Sequence, residues 1–224
     1  MAASRNGSIV GGVAGIIGCV LFFIAFALAP TPPTLGANAS EIVRYSTEHH
    51  GAMLLAAFLF GATAPFLMTW SGALAARLRD AEGDGAWLYL VFLATATLTS
   101  TISTAASFVW MTFSSRGWNA GDPIAQTLMD MVNYGYIFVG FGSIAFVPAA
   151  SAVMIRSSEV ARWLGQVGIV VAVLQAIYLF TAFFTEGVMI GGGPITIIGF
   201  TALGLWLLAV AIVMTVRAPP GRRA

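Results

Sequence analysis

The stretch ITIIGFTALGLWLLAVAIVMTV, residues 195–216, contains no Asp, Glu, Lys, Arg or His. A hydrocarbon layer about 30 Å thick takes about 20 apolar residues to cross as a helix, so this run is long enough for one passage. Five more runs of the same kind precede it, at 8–29, 51–74, 86–113, 131–155 and 163–184. Every Asp, Glu, Arg and His falls between these runs or at the chain ends. The sequence therefore predicts an all-α, polytopic membrane protein with six transmembrane helices.

Composition agrees with this reading. Of 224 residues, 58% are hydrophobic and only 8% charged, with a mean hydropathy of +0.89. A soluble domain is about 45–50% apolar and needs a larger polar surface than this chain can supply. The segment between the first two runs is too short to fold as a domain of its own, so one transmembrane domain accounts for residues 1–224. A net charge of +1 offers no basic surface for nucleic acid. All basic residues are Arg, which, with abundant Ala and Gly, fits a GC-rich bacterial genome and a bacterial cytoplasmic membrane. A single cysteine, Cys19, excludes an intramolecular disulfide and any multi-cysteine metal site. No cofactor and no metal site is expected.

Near the N-terminus, Ala27-Leu28-Ala29 imitates a secretory cleavage site. Pro30 directly after it disfavours cleavage, and the apolar run continues past Cys19, so we expect residues 8–29 to be retained as the first helix. Orientation follows from Arg. Arg5, Arg77, Arg79, Arg156, Arg162, Arg217, Arg222 and Arg223 fall on one side, whereas only Arg44 and Arg116 fall on the other. Both termini are thus expected in the cytoplasm. Trp87 and Trp163 would lie at the inner headgroup layer, Trp110 and Trp118 at the outer one. Pro65 and Pro148 lie inside runs, where each removes a backbone donor and predicts a kink.

The outer side then holds Glu41, Glu48, Asp122, Asp130, Glu186, His49 and His50. Residues 40–50 are expected to form a short amphipathic helix on the outer surface, with Ser40 as N-cap and Ile42 and Val43 dipping into lipid. In it, Glu48, His49 and His50 would form a proton-handling cluster at the mouth of the bundle, or else be solvated polar residues opening a helix. Adjacent histidines point about 100° apart on a helix and chelate one ion poorly. Asp130, Asn133 and Tyr134 would line an outward pocket, or Asn133 would supply one interhelical hydrogen bond. Gln175, near the middle of its span, must look inward, with Tyr178 on the same face and Glu186 beyond the outer end. The hydroxyls of 95–107, with Thr97, Ser100 or Thr101, and Thr104 as one stripe, suit close packing and also suit a hydrated path.

Several classes lack their signatures. No carboxylate or histidine lies within a span, as a proton-coupled carrier would have, and no Arg ladder suggests a voltage sensor. Facing axial histidines for haem are missing, as is a Gly-x-Ser-x-Gly nucleophile elbow. Gly191-Gly192-Gly193-Pro194 lacks the Lys and Ser/Thr of a phosphate loop.

Residues 155–165, Ile-Arg-Ser-Ser-Glu-Val-Ala-Arg-Trp-Leu-Gly, give a short polar loop and then Arg162-Trp163-Leu164 opening the fifth helix. From Asp130 onward the chain resembles a family of small six-helix bacterial integral membrane proteins of unassigned function. That family's usual proline before the Arg-Trp pair is replaced here by Val160-Ala161. The resemblance implies topology and supplies no catalytic residues.

The function expected from the sequence is non-enzymatic. It is binding or transport of a small apolar or lipidic ligand, or an accessory role beside a membrane protein partner or a second copy. Glu48, His49, His50, Asp130, Asn133, Tyr134, Gln175, Tyr178 and Glu186 would line the outward cavity. An intramembrane enzyme for a lipid-soluble substrate is the second reading, with Glu48 or Asp130 as acid/base and His49 or His50 as partner. It requires those groups to converge. A structural scaffold is the third, and it predicts tolerance of Gln175→Leu.

Overall fold

A computed structural model describes residues 5–33, 37–119, 122–157, 161–184 and 193–217. Every element among them is helical: α1 (Arg5–Leu28), α2 (Ala39–Glu82), α3 (Leu88–Ser114), α4 (Pro123–Arg156), α5 (Arg162–Phe180), a 3-10 turn (Thr181–Phe183) and α6 (Pro194–Val216). All six long helices are long and apolar enough to cross a membrane. Successive helices pack side by side, α6 closes back on α1, and α2 also touches α4. The first and last described residues, Arg5 and Arg217, lie at one end of this ring. We call it the terminal end, and the opposite one the distal end.

Two helices outrun the apolar runs that predicted them. α2 has 44 residues and α4 has 34; at about 1.5 Å per residue they are about 66 and 51 Å long. The expected separate helix over 40–50 is instead the first three turns of α2. Its N-cap is Asn38, not Ser40: the Asn38 carboxamide oxygen accepts from the Glu41 N–H at 2.9 Å and from the Ser40 hydroxyl at 2.6 Å. Ile42 does not dip into lipid but is buried against the distal core, and Val43 packs beside it. α4 likewise starts at Pro123, where Pro at the first position follows an Asp122 cap that accepts from the Ile124 N–H at 2.9 Å. Neither Pro65 nor Pro148 interrupts its helix.

Two apolar cores fill the ring. The terminal-end core joins α2 through α6 around Trp70, Phe92, Phe146 and Trp206. The distal core joins only α1 to α4, around Met53, Phe60, Trp110 and Met129. Trp110 was expected at the outer headgroup layer from its position in the run, but it faces the bundle interior instead. Trp118 stacks on Phe113 with ring centroids 5.6 Å apart and donates to the Phe113 carbonyl at 2.9 Å. Trp87 and Trp163 are exposed at the terminal end.

Lipid tails are as apolar as a leucine side chain, so helices in a bilayer associate through close packing more than through hydrophobic exclusion. Glycine makes that packing possible at the α1–α6 seam. A Cβ on Gly12 would lie 2.9 Å from the Ala211 carbonyl oxygen. On α3 the stripe Thr97, Thr101 and Thr104 is exposed, and the Thr101 and Thr104 hydroxyls donate to their own helix's carbonyls at 2.9 and 2.8 Å. The hydroxyls facing the bundle are Thr99, Ser100, Ser103 and Ser107.

At the terminal end, Glu82 closes α2 and caps α3. Its carboxylate accepts from the backbone N–H groups of Trp87, Leu88 and Tyr89 at 2.9, 3.0 and 3.2 Å. Desolvation pushes this carboxyl up, but the three backbone donors and the nearby Arg156 charge outweigh it and hold it below the usual carboxylate range. Its contribution is therefore complete above the unfolded-state pKa of about 4.3 and is lost as pH falls through the lower folded value. Glu82→Ala should cost about 1 kcal/mol at neutral pH. In thermal unfolding of both proteins from neutral to acid pH, the gap between midpoints should close in acid. A gap independent of pH would contradict the cap.

Candidate functional site

The distal core stops at α4 because α5 ends its α-helical course at Phe180 and α6 begins only at Pro194, while α2 and α4 continue. The space left between α1–α4 and the distal ends of α5 and α6 is a cavity of about 210 Å³. All six helices contribute to its wall: Phe26 from α1, Phe60 from α2, Trp110 from α3, Tyr136 from α4, Tyr178 from α5 and Phe200 from α6. Pro30, Thr31 and Pro32, in the link between α1 and α2, complete it.

Hydrogen bonds hold that link across the cavity. The Tyr45 hydroxyl donates to the Pro30 carbonyl at 2.9 Å, the Asn133 amide to the Pro33 carbonyl at 3.3 Å, and the Gln126 amide to the Ala37 carbonyl at 3.4 Å. The aromatic wall is interlocked. Phe60 meets Trp110 and Tyr136 at centroid distances of 6.0 and 5.6 Å, Trp110 meets Tyr136 edge-on at 5.9 Å, and Phe200 meets Tyr136 and Tyr178 edge-on at 6.3 and 5.3 Å. Such offset and edge-on pairs are the favoured geometries and hold each ring in place.

Among the described residues, no Asp, Glu, Arg or His lines the cavity. The Tyr136 hydroxyl lies 3.2 Å from the Ser107 hydroxyl. Tyr178 is 1% exposed, and its hydroxyl has no hydrogen-bond partner among the described residues. Leaving a buried hydroxyl unpaired costs about 1–3 kcal/mol, and such groups are uncommon enough in folded proteins to call for an explanation.

The residues singled out from the sequence separate into four groups. Asn133 and Tyr178 line the cavity. Gln175 is buried but bridges helices instead of facing the cavity: its oxygen accepts from the Ser143 hydroxyl at 2.9 Å, and its amide donates to the Gly199 carbonyl at 2.8 Å. It thereby joins α4, α5 and α6. Asp130 and Tyr134 line a separate shallow groove on the outside of α4 with Thr127 and Phe138. Glu48, His49 and His50 are exposed on the overhang of α2, the His49 ring lying edge-on to Tyr45 at 5.2 Å. Glu186 lies outside the described residues.

The convergence that an acid/base site would need is thus absent among the described residues. No hydrogen bond or ion pair joins Glu48, His49 or His50 to Asp130. Nor is any cluster of three potential metal ligands present among the described residues. Asp130, Asn133 and Tyr134 do not line one pocket together. Asn133 and Tyr134 point about 100° apart, and the cavity takes Asn133 with Tyr136 and Ile137. The aromatic wall escaped sequence reading, because an aromatic ring in a span is equally at home against lipid. The one available signal was Tyr136, three residues after Asn133.

No protein-family model, curated protein or solved structure matches this chain.

Proposed function

We propose that this protein binds a small, neutral, apolar or lipid-derived molecule in the distal cavity. The observation that carries this reading is the unpartnered Tyr178 hydroxyl in a wall of aromatic rings to which all six helices contribute. A space of about 210 Å³ exceeds the roughly 150 Å³ that admits one benzene. It is smaller than the roughly 300–1,000 Å³ of drug-sized sites. The occupant is therefore small, between a single ring and a monoterpene derivative in size. The described part of the wall is uncharged, which favours an uncharged ligand, since burying an unpaired ion is very costly. A hydrogen-bond acceptor on that ligand satisfies Tyr178.

The distribution of Arg supports a bacterial cytoplasmic membrane with both termini inside, which puts the cavity on the outer side. The bilayer is then both the solvent of the protein and the source of its ligand. The same cavity serves transport, or an accessory role beside a membrane protein partner or a second copy. The likeness of residues 155–165 to the small six-helix family supports the same topology.

Geranyl acetate, a neutral lipid-soluble ester, is a suitable probe, because Trp110 lies in the wall and its fluorescence reports occupancy. Titration should give a saturable change that Trp110→Phe removes. Tyr178→Phe should weaken binding about tenfold, about 1.4 kcal/mol. It should leave thermal stability unchanged or slightly raised, because it deletes a hydroxyl that bonds to nothing. A linear, unsaturable response in the wild type would exclude the reading.

A further inference from the structure

A second, smaller cavity of about 70 Å³ lies deeper in the bundle, a little over twice the share of liquid volume of one water, about 30 Å³. Its wall differs in character from the distal one, carrying the hydroxyls of Thr63 and Ser71 on α2 and of Thr99, Ser100 and Ser103 on α3, together with Trp70. Thr63, Ser71 and Thr99 already donate to the carbonyls of Phe60, Leu67 and Thr95, at 2.6, 2.8 and 2.8 Å, so towards the cavity they are acceptors. Trp70 is 2% exposed, and its indole N–H has no hydrogen-bond partner among the described residues. The inner wall thus offers the unmet Trp70 donor, together with the Ser100 and Ser103 hydroxyls, among several acceptors. That arrangement suits a hydroxyl group, which accepts one bond and donates another.

Phe200 lines both cavities. Its ring stands against Tyr136 and Tyr178 on the distal side and stacks on Phe22, a residue of the inner wall, at 6.2 Å. We propose that the two cavities are compartments of one chamber partitioned by the Phe200 ring, and that the inner compartment takes the hydroxyl of a lipid-soluble alcohol whose hydrocarbon body lies among the distal rings. This rests on the distal binding reading and adds the class of ligand. Below the inner compartment, Trp70, Phe92 and Phe146 are packed ring to ring, so the chamber is closed towards the terminal end.

The chain's single cysteine tests the proposal. Cys19 lines the inner compartment and is 1% exposed. Full-length protein in lipid vesicles is treated with methyl methanethiosulfonate, a small neutral thiol reagent, and adduct formation is followed by intact mass. Phe200→Ala should speed labelling at least tenfold, and geraniol should slow labelling of this variant, whereas geranyl acetate, which lacks the hydroxyl, should slow it much less. Should Phe200→Ala fail to fold, Phe200→Trp carries the test and should label more slowly than the wild type. Unchanged labelling in a folded Phe200 variant overturns the partition even if Trp110 still reports geranyl acetate in the distal cavity. Equal protection by the alcohol and the ester means that the inner compartment holds water alone, and overturns the ligand class. Faster labelling with selective geraniol protection, but no saturable Trp110 response to geranyl acetate, supports the inner site and refutes distal binding of the ester.

Discussion

Gly165→Leu should leave almost no folded protein. A Cβ at this position would lie 2.7 Å from the Ser151 carbonyl oxygen, 2.7 Å from Ile155 Cγ1 and 3.0 Å from the Ile155 backbone nitrogen. Two of these three neighbours are α4 backbone, which has no rotamer to give. The α4–α5 seam would have to open, and with it the contact in which the Trp206 indole donates to the Leu164 carbonyl at 3.0 Å. Overpacking a well-filled core costs about 1–3 kcal/mol, and more where backbone must move. We expect more than 3 kcal/mol here, read as loss of the monodisperse peak after solubilisation and a collapse of the unfolding midpoint. Gly72, with nothing within 4 Å of its added Cβ, is the control: Gly72→Leu should behave as wild type. Equal behaviour of the two variants would show that the α4–α5 seam is looser than the structure has it.

Ala29→Trp should abolish ligand binding while sparing the fold. Ala29 follows the last turn of α1, lines the distal cavity and is only half-buried. An indole there occupies the space the ligand would need and displaces no tightly packed neighbour. We expect at least a hundredfold loss of geranyl acetate affinity, about 2.7 kcal/mol, with an unfolding midpoint within the error of the wild type. This separates filling the cavity from removing the hydrogen bond, since Tyr178→Phe should cost only about tenfold. Retained affinity in a folded Ala29→Trp protein would move the site elsewhere, and the Asp130 groove on the outside of α4 would be the next place to look.

The difference between Gln175 and Tyr178 shows how far polarity in a span can be read. Both were expected to look inward, and both are buried. Gln175 has every reason to be there for the fold alone, since its oxygen and amide each find a partner on another helix. Gln175→Leu would remove the bonds that tie Ser143 and the Gly199 carbonyl to α5, and sensitivity of folding to that change is no sign of a ligand. The Tyr178 hydroxyl finds no partner. Sequence could place the two residues on one face of α5, but whether a buried group is satisfied depends on what the neighbouring helices bring to it.

The exposed residues Glu48, His49 and His50 teach the opposite lesson. Their charge marked the end of the apolar run correctly, because an ionised side chain is expelled from hydrocarbon. It did not mark the end of the helix. α2 continues outward for three turns because Asn38 caps it and because Ile42, Tyr45 and Ser46 bury one face against the distal core. The alternation of buried and exposed residues along this overhang has the helical period expected of a helix lying on a surface, so pattern alone could not tell a lipid surface from a protein one.

What the sequence by itself determined is the number of long apolar helices and their approximate limits. A bilayer excludes charged groups from about 30 Å of hydrocarbon, and each of the six uninterrupted apolar runs is long enough to cross it. Only the tertiary structure decided which face of each helix turns inward, how far α2 and α4 outrun the rest, and where the cavity and its Phe200 partition fall. The reason is that lipid and protein interior are both apolar. A span carries hydrophobic residues all the way round, and the amphipathic period that reveals the buried face of a soluble helix is erased.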